Sequence, residues 1–234
     1  MGKVLIITGA SRGIGLATAE LFQREGFRVF NLSRSPSPLP GIENFDIDLG
    51  RSDWEQRVQS DLLPALGDPQ QLALVHNAGA IIKDSLIDFR SADFRRVLEI
   101  NVVAPAALSH LLLPKMRAGS SIIYIGSTLG EIAVPNSCAY VTSKHALIGL
   151  MRSTCQDLAG SGIHTACVCP GFTDTEMLRA HVGGSEEVLQ AIAAGVAQKR
   201  LIQPGEIAST VHFCVHNAVI NGAVIHANLG QVQS

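Results

Sequence analysis

From one end of the chain to the other, short apolar runs of strand type alternate with segments whose apolar residues recur at helical spacing. Residues 4–7, 28–32, 41–47, 72–75, 121–125, 163–168 and 223–227 read as strands, with helical segments between most of them. Strands separated in this way run parallel through right-handed crossovers, with helices covering both faces of the sheet. Composition agrees, since hydrophobic residues make up 47% of the chain and aromatics only 5%. The apolar content is therefore mainly Ala, Val, Ile and Leu, the mix of strands buried on both sides. The expectation is an α/β fold, a doubly wound and mostly parallel seven-stranded sheet that binds ligands at the carboxyl ends of its strands, where strand order reverses.

Nothing in the sequence divides these elements, so residues 1–234 are expected to form one domain. The run Ser35-Pro36-Ser37-Pro38-Leu39-Pro40 lies between two strand segments and reads as a surface loop replacing a crossover helix. Residues 172–203, with Gly183-Gly184 and two short helical patterns, read as a lid on the substrate side. The formal net charge of −2, with no basic run, leaves no electrostatic footprint for nucleic acid or an anionic membrane. The first apolar run ends at Thr8-Gly9, too short for a signal segment or a membrane span. Met1-Gly2 starts like a myristoylation site, but Ile6 stands where Ser or Thr is needed. A cytoplasmic location is expected. The five cysteines, Cys138, Cys155, Cys167, Cys169 and Cys214, are odd in number and lack zinc-site spacing, so they read as reduced core residues and no metal is expected. Cys167 and Cys169 are expected on opposite faces of their strand.

Directly after the first strand, Thr8-Gly9-Ala10-Ser11-Arg12-Gly13-Ile14-Gly15 leads into a helical pattern through Leu21 and Phe22. Glycines at such a turn let the backbone approach a pyrophosphate, and the helix start offers unpaired N–H groups and the positive end of its dipole. The spacing Gly-x-x-x-Gly-x-Gly differs from the usual dinucleotide fingerprint, and glycines there can also serve packing alone. Further motifs follow in order: His76-Asn77-Ala78-Gly79, Asn101 in Ile-Asn-Val-Val-Ala, Ser127 in Ile-Gly-Ser-Thr-Leu-Gly, Tyr140-Val141-Thr142-Ser143-Lys144, and Pro170-Gly171-Phe172-Thr173-Asp174-Thr175. In this combination and order the chain resembles the short-chain dehydrogenase/reductase family over nearly its whole length. It departs from the family pattern at His76, where the first Asn of Asn-Asn-Ala-Gly would stand. It departs again at Ala227-Asn228-Leu229-Gly230, where many members end in a Gly-Gly turn.

The resemblance implies a Rossmann-type fold holding a nicotinamide dinucleotide. Gly9, Ser11, Arg12, Gly13, Ile14 and Gly15 would cradle its phosphates, with Asp48 and Leu49 at the adenine and Asn77, Ala78 and Gly79 along the adenosine. Pro170, Gly171, Thr173 and Thr175 complete that site, Thr175 contacting the carboxamide or the phosphates. Choice between the two cofactors turns on the end of the second strand, where an acidic residue accepts from ribose hydroxyls and basic residues pair with a 2′-phosphate. Ser33 stands where NAD-preferring relatives carry Asp, Arg34 follows it, and Arg12 can reach the same phosphate. These residues point to NADP(H) over NAD(H), with two solvated arginines as the alternative.

Hydride addition to a carbonyl leaves a developing alkoxide that needs a proton and electrostatic support. Tyr140 is the expected donor, and Lys144, one turn along the same helix face, favours the phenolate with its ammonium. Ser127 would hydrogen-bond the substrate oxygen. The resemblance adds that Lys144 binds the nicotinamide ribose and that Asn101 bends its helix and positions a water linking Lys144 to bulk solvent. Each residue has an ordinary structural reading, and the case rests on all four together. His212 and His216, four apart on a helical pattern, lack a third ligand and read as surface or interface residues. His145 projects about 100° away from Lys144, and Cys138 could line the substrate mouth.

The expected activity is oxidation or reduction of a small-molecule carbonyl or secondary alcohol. Lys199-Arg200-Leu201-Ile202-Gln203-Pro204-Gly205-Glu206-Ile207-Ala208 resembles the end of the lid in 3-oxoacyl-(acyl carrier protein) reductases, which makes a 3-oxoacyl thioester the narrower alternative. A non-catalytic dinucleotide-binding regulator is disfavoured by the intact tetrad, and an extended-type sugar-nucleotide epimerase by the short chain after Pro170. By resemblance the protein is a homo-dimer or homo-tetramer joined through the helices around 93–117 and 137–158.

Overall fold

The computed structural model describes residues 2–231. Met1, on which the Met1-Gly2 reading depends, lies outside them. Strands β1 (Lys3–Thr8), β2 (Arg28–Ser33), β3 (Glu43–Asp46), β4 (Gln71–His76), β5 (Ser121–Ile125), β6 (His164–Pro170) and β7 (Ala223–Ala227) form one sheet in the order β3-β2-β1-β4-β5-β6-β7. Every neighbouring pair is parallel, the doubly wound seven-stranded sheet that the sequence leads one to expect. Strand order reverses between β1 and β4, which places Thr8 and His76 on either side of the switch-point crevice.

Side chains alternate across each strand, and the two faces fill separately. Leu5 and Ile7 of β1 pack with Phe22 of α1 (Gly13–Arg24) and Val211 near the C-terminus. Val4 and Ile6 face the other side. There they share a core with Val58 and Leu62, which lie in the π-helical turn between α2 (Trp54–Arg57) and α3 (Leu63–Leu66). The next helical run starts as α4 (Ser91–Leu98), passes through a π-helical turn at Glu99–Val103 and continues as α5 (Ala104–Leu112). By length and composition the run Ser91–Lys115 could cross a membrane. In this fold its Ala104, Leu108 and Leu112 are buried in the core beside Leu147 and Met151 of α6 (Cys138–Asp157).

Cys167 and Cys169 do not straddle the sheet. Residues two apart in a strand share a face, and both thiols lie on the α5/α6 side with their Sγ atoms 3.8 Å apart. The hydrogen bond shared with Cys169, together with burial, raises the Cys167 thiol well above its usual value. All five cysteines are free. The Pro-rich run is the expected loop, and Ser37 N–H within it donates to Asn44 Oδ1 at 2.8 Å.

After β6 the chain leaves the sheet for residues 172–203 before α9 begins. The two ends of this segment are zipped together where Thr173 bridges Ile202, Ile202 N–H donates to Phe172 O (3.0 Å), and Asp174 N–H donates to Ile202 O (2.8 Å). Between them lie α7 (Glu176–His181) and α8 (Glu186–Ala194), capped by the Thr175 and Ser185 hydroxyls, and α9 (Pro204–His216) follows.

Candidate active site

The glycine-rich turn is braced by hydrogen bonds from the neighbouring strands β2 and β4 and the residues that follow them. Gly9 (φ 76°) and Gly13 (φ 55°) take the left-handed conformation that glycine adopts without steric cost. Asn77 Nδ2 donates to both Thr8 O (2.9 Å) and Gly9 O (3.0 Å), while Thr8 Oγ1 accepts from the N–H groups of Asn77 and Ala78. Ala10 N–H donates to Asn31 Oδ1 (2.9 Å) from the middle of β2. The first turn of α1 then starts from Arg12, which has no acceptor in its side chain, so its leading N–H groups lack a side-chain cap. That is the arrangement an anionic phosphate completes.

Over this turn and the carboxyl edge of the sheet lies one cleft of about 700 Å³. It brings together Gly9, Ser11, Arg12, Gly13, Ile14, Ser33, Arg34, Asp48, Leu49, Asn77, Ala78, Gly79, Ser127, Tyr140, Lys144, Pro170, Gly171, Thr173 and Thr175, all expected at the site. Two expected residues, Gly15 and Asn101, do not line it; Gly15 is buried directly beneath the Gly9 carbonyl. Arg12 and Arg34 are exposed at the cleft and form no ion pair among the described residues, whereas Arg28, Arg51, Arg179 and Arg200 are each held by a carboxylate.

At the other end of the cleft, Tyr140 and Lys144 project from the first turns of α6. Lys144 is 4% exposed, donates from Nζ to Ile125 O (2.8 Å) and lies 5.5 Å from the centroid of the Tyr140 ring. No carboxylate pairs with it among the described residues, so two of its three donors are left for a ligand. Ser127 Oγ accepts from Leu129 N–H (3.1 Å), which leaves the hydroxyl hydrogen to donate. Asn101 sits in the π-helical turn between α4 and α5. Its side chain makes three hydrogen bonds: Oδ1 accepts from Ala80 N–H (2.7 Å), and Nδ2 donates to Ala80 O (2.9 Å) and Ser143 Oγ (2.9 Å).

Several contributors carry no motif. Asn31 is a buried polar residue in an apolar strand run, the one such signal visible in sequence. Leu129, Val134, Phe172 and Met177 give the cleft apolar walls from the loop after β5 and from the segment after β6, and Gln231 reaches it from the tail. In that tail Leu229 (φ 52°) and Gly230 (φ 67°) are both left-handed, so at the point where the chain departs from the family's Gly-Gly turn a leucine takes a glycine-like conformation. The rings of His212 and His216 lie 4.2 Å apart, tilted to each other and both packed on Phe22, and no group of three metal-ligating side chains exists among the described residues.

His76 is buried, stacks on Tyr124 at 4.9 Å and shares a 2.8 Å hydrogen bond with Ser109. Burial pushes its pKa from 6.5 down to about 3, so it stays neutral in the folded chain while the unfolded chain takes up a proton. Stability on this account is complete above pH 6.5 and falls as pH drops below it toward about 3. Between about pH 7.5 and about pH 5 the wild-type unfolding free energy should fall by about 2 kcal/mol more than that of His76→Asn. Denaturant titrations at the two pH values measure it, and parallel losses would refute it.

A family model described as short chain dehydrogenase matches residues 3–62, and one described as enoyl-(acyl carrier protein) reductase matches residues 70–231. The chain is 32% identical to Protein FixR of Bradyrhizobium diazoefficiens, over 98% of this chain and 86% of that protein. It is 31% identical to the 3-oxoacyl-(acyl-carrier-protein) reductase FabG of Vibrio cholerae, over 98% of this chain and 97% of the relative. The solved structure of a 4-hydroxyisoleucine dehydrogenase mutant complexed with NADH and succinate matches with a TM-score of 0.88 at 25% identity, covering 98% of each chain.

Proposed function

The chain belongs to the short-chain dehydrogenase/reductase family, and from that premise we propose that it is an NADP(H)-dependent oxidoreductase interconverting a carbonyl and a secondary alcohol, with Tyr140 as acid and base. The observation that carries this reading is the buried, ion-pair-free Lys144 beside the Tyr140 ring, in the same cleft as Ser127.

The residues divide the work. A bound nicotinamide supplies or accepts the hydride. Ser127 donates its hydroxyl hydrogen to the substrate oxygen and holds it beside the phenol. Tyr140 gives its proton to that oxygen as negative charge develops, and Lys144 stabilises the phenolate left behind. Asn101 holds the loop after Gly79 against α6 through Ala80 and Ser143. NADPH consumption with acetoacetyl thioesters, diketones, aldehydes and sugars tests the reading, and a protein that reduces none of them overturns it. The 3-oxoacyl thioester is the favoured narrower substrate, because the family model over residues 70–231 and the Vibrio relative both carry acyl-carrier names and the cleft has apolar walls.

The cofactor preference rests on Arg12 and Arg34, since the NADH complex of a relative shows that family membership does not choose. Two charge-assisted contacts to a 2′-phosphate are expected to favour NADPH over NADH by roughly 10- to 100-fold in kcat/KM. Ser33→Asp should reverse that order, because its carboxylate would repel the phosphate and accept from the ribose. Equal or better activity of the wild type with NADH would overturn the preference.

We also propose a homo-dimer or homo-tetramer through α4, α5 and α6, where the apolar Val103 remains 48% exposed, with light scattering as the check. The five free cysteines favour a reducing, cytoplasmic setting.

A further inference from the structure

We propose that Asp84 is a positioning residue for Tyr140: its carboxylate caps the start of α6 from a separate loop and fixes the turn that carries the phenol. The inference rests on the reading of Tyr140 as the proton donor.

Tyr140 is the third residue of α6. The first N–H groups of a helix have no partner within it, and Ser137, at the N-cap position, supplies none from its side chain. Asp84 provides the missing acceptors. Its backbone carbonyl accepts from Cys138 N–H (3.3 Å), and its carboxylate accepts from Ala139 N–H at 2.9 Å and 3.2 Å to the two oxygens. Its own N–H donates to Asn136 O (3.2 Å). Residue 84 is thus bonded to the segment leading into the helix both before and after the helix starts. That segment includes Asn136 at φ 59°, a left-handed turn that needs holding in place.

The same strip of chain is clamped at its other end. Asn101 binds the N–H and carbonyl of Ala80 and donates to Ser143 Oγ, which donates to Tyr140 O at 2.7 Å. From Tyr140 the connections run through Ser143 and Asn101 to Ala80, along the chain to Asp84, and back through Ala139 to the residue preceding Tyr140. The circuit closes on the helical turn that aims the phenol into the cleft. Asn101 secures it from the buried side. Asp84 secures it where a polar recess lined by Lys83, Ser85, Asn136 and His181 adjoins, and where water competes for the helix N–H groups. A carboxylate at the positive end of a helix holds that contact better than a neutral acceptor does.

The test compares Asp84→Ala, Asp84→Ser and Asp84→Asn in the full-length protein. It measures kcat at saturating NADPH and substrate, the Kd for NADPH by fluorescence titration without substrate, and Tm. The alanine and the serine, whose hydroxyl is too short to reach Ala139, are expected to lower kcat by at least about tenfold, because displacement of a reacting group by about 1 Å carries a penalty of that order or more. NADPH Kd should stay within about twofold of wild type, and Asn, which keeps an acceptor oxygen, should restore kcat to within about threefold. A purely structural cap would lower Tm and leave kcat per folded molecule unchanged, and that result overturns the inference. A parallel loss of NADPH affinity, marking collapse of the whole cleft, overturns it as well. Should Asp84→Ala fail to fold, Asp84→Ser decides. Tyr140→Phe in the same series separates the two readings: if it keeps turnover, the donor assignment fails. If it is inactive while both truncations at Asp84 keep full kcat, only the positioning role fails.

Discussion

Tyr140→Phe is expected to fold as the wild type does, to bind NADPH with unchanged affinity and to lose turnover by about 10³-fold or more, the upper part of the range for removal of a general acid. The substitution deletes a single oxygen. The ring that Lys144 approaches at 5.5 Å stays in place, and so does the backbone carbonyl that accepts from Ser143. Tm and fluorescence titration with NADPH should therefore be indistinguishable from wild type. With the phenol gone, the developing alkoxide has Ser127 as a hydrogen-bond donor but no acid supported by an ammonium. Serine cannot replace tyrosine there, because its hydroxyl is a far weaker acid. A kcat within a few-fold of wild type would show that the proton comes from elsewhere and would remove the mechanism proposed above.

Whether a feature could be read in the sequence depended on how local its cause was. The central strands were legible because interior parallel strands are continuous apolar runs, and β1, β4 and β5 fall within a residue or so of their expected positions. β3 is a sheet edge with alternating exposure, and it is shorter at Glu43–Asp46 than the expected 41–47. Tyr140 and Lys144 were legible because their spacing is one helical turn. Asn101 was legible as a motif residue, yet its partners Ala80 and Ser143 lie 21 and 42 positions away and no sequence spacing announces them. Asp84, 55 positions from Ala139, shares that difficulty, as does Asn31 beneath Ala10. The placement of Cys167 and Cys169 was misread for a different reason: a period of two puts them on one face, beside Gly126, where an added Cβ would lie 2.7 Å from both sulfurs.

Gly15→Ala should cripple the protein although alanine is the better helix former by about 1 kcal/mol. A Cβ at Gly15 would lie 2.2 Å from Gly9 O and 2.5 Å from Asn77 Nδ2, closer than side chains are found in proteins. The backbone carbonyl cannot swing aside, because it accepts from that same Asn77 Nδ2, which also holds Thr8 O. Relief therefore means moving the Gly9 peptide, breaking one or both of these bonds and displacing the turn that meets the pyrophosphate. Overpacking of this kind costs about 1–3 kcal/mol or more, and it outweighs the helix-propensity gain. NADPH affinity is expected to fall by at least about tenfold, since the phosphate-facing N–H groups move with the turn. Gly205, in α9 with nothing within 4 Å of an added Cβ and away from the proposed subunit seam, provides the control: Gly205→Ala should not destabilise the protein and should leave NADPH binding unchanged. Thermal unfolding and NADPH titration of the two variants side by side separate close approach from propensity. Wild-type affinity in Gly15→Ala would mean that the turn yields without cost to the ligand, and would overturn the close-approach argument.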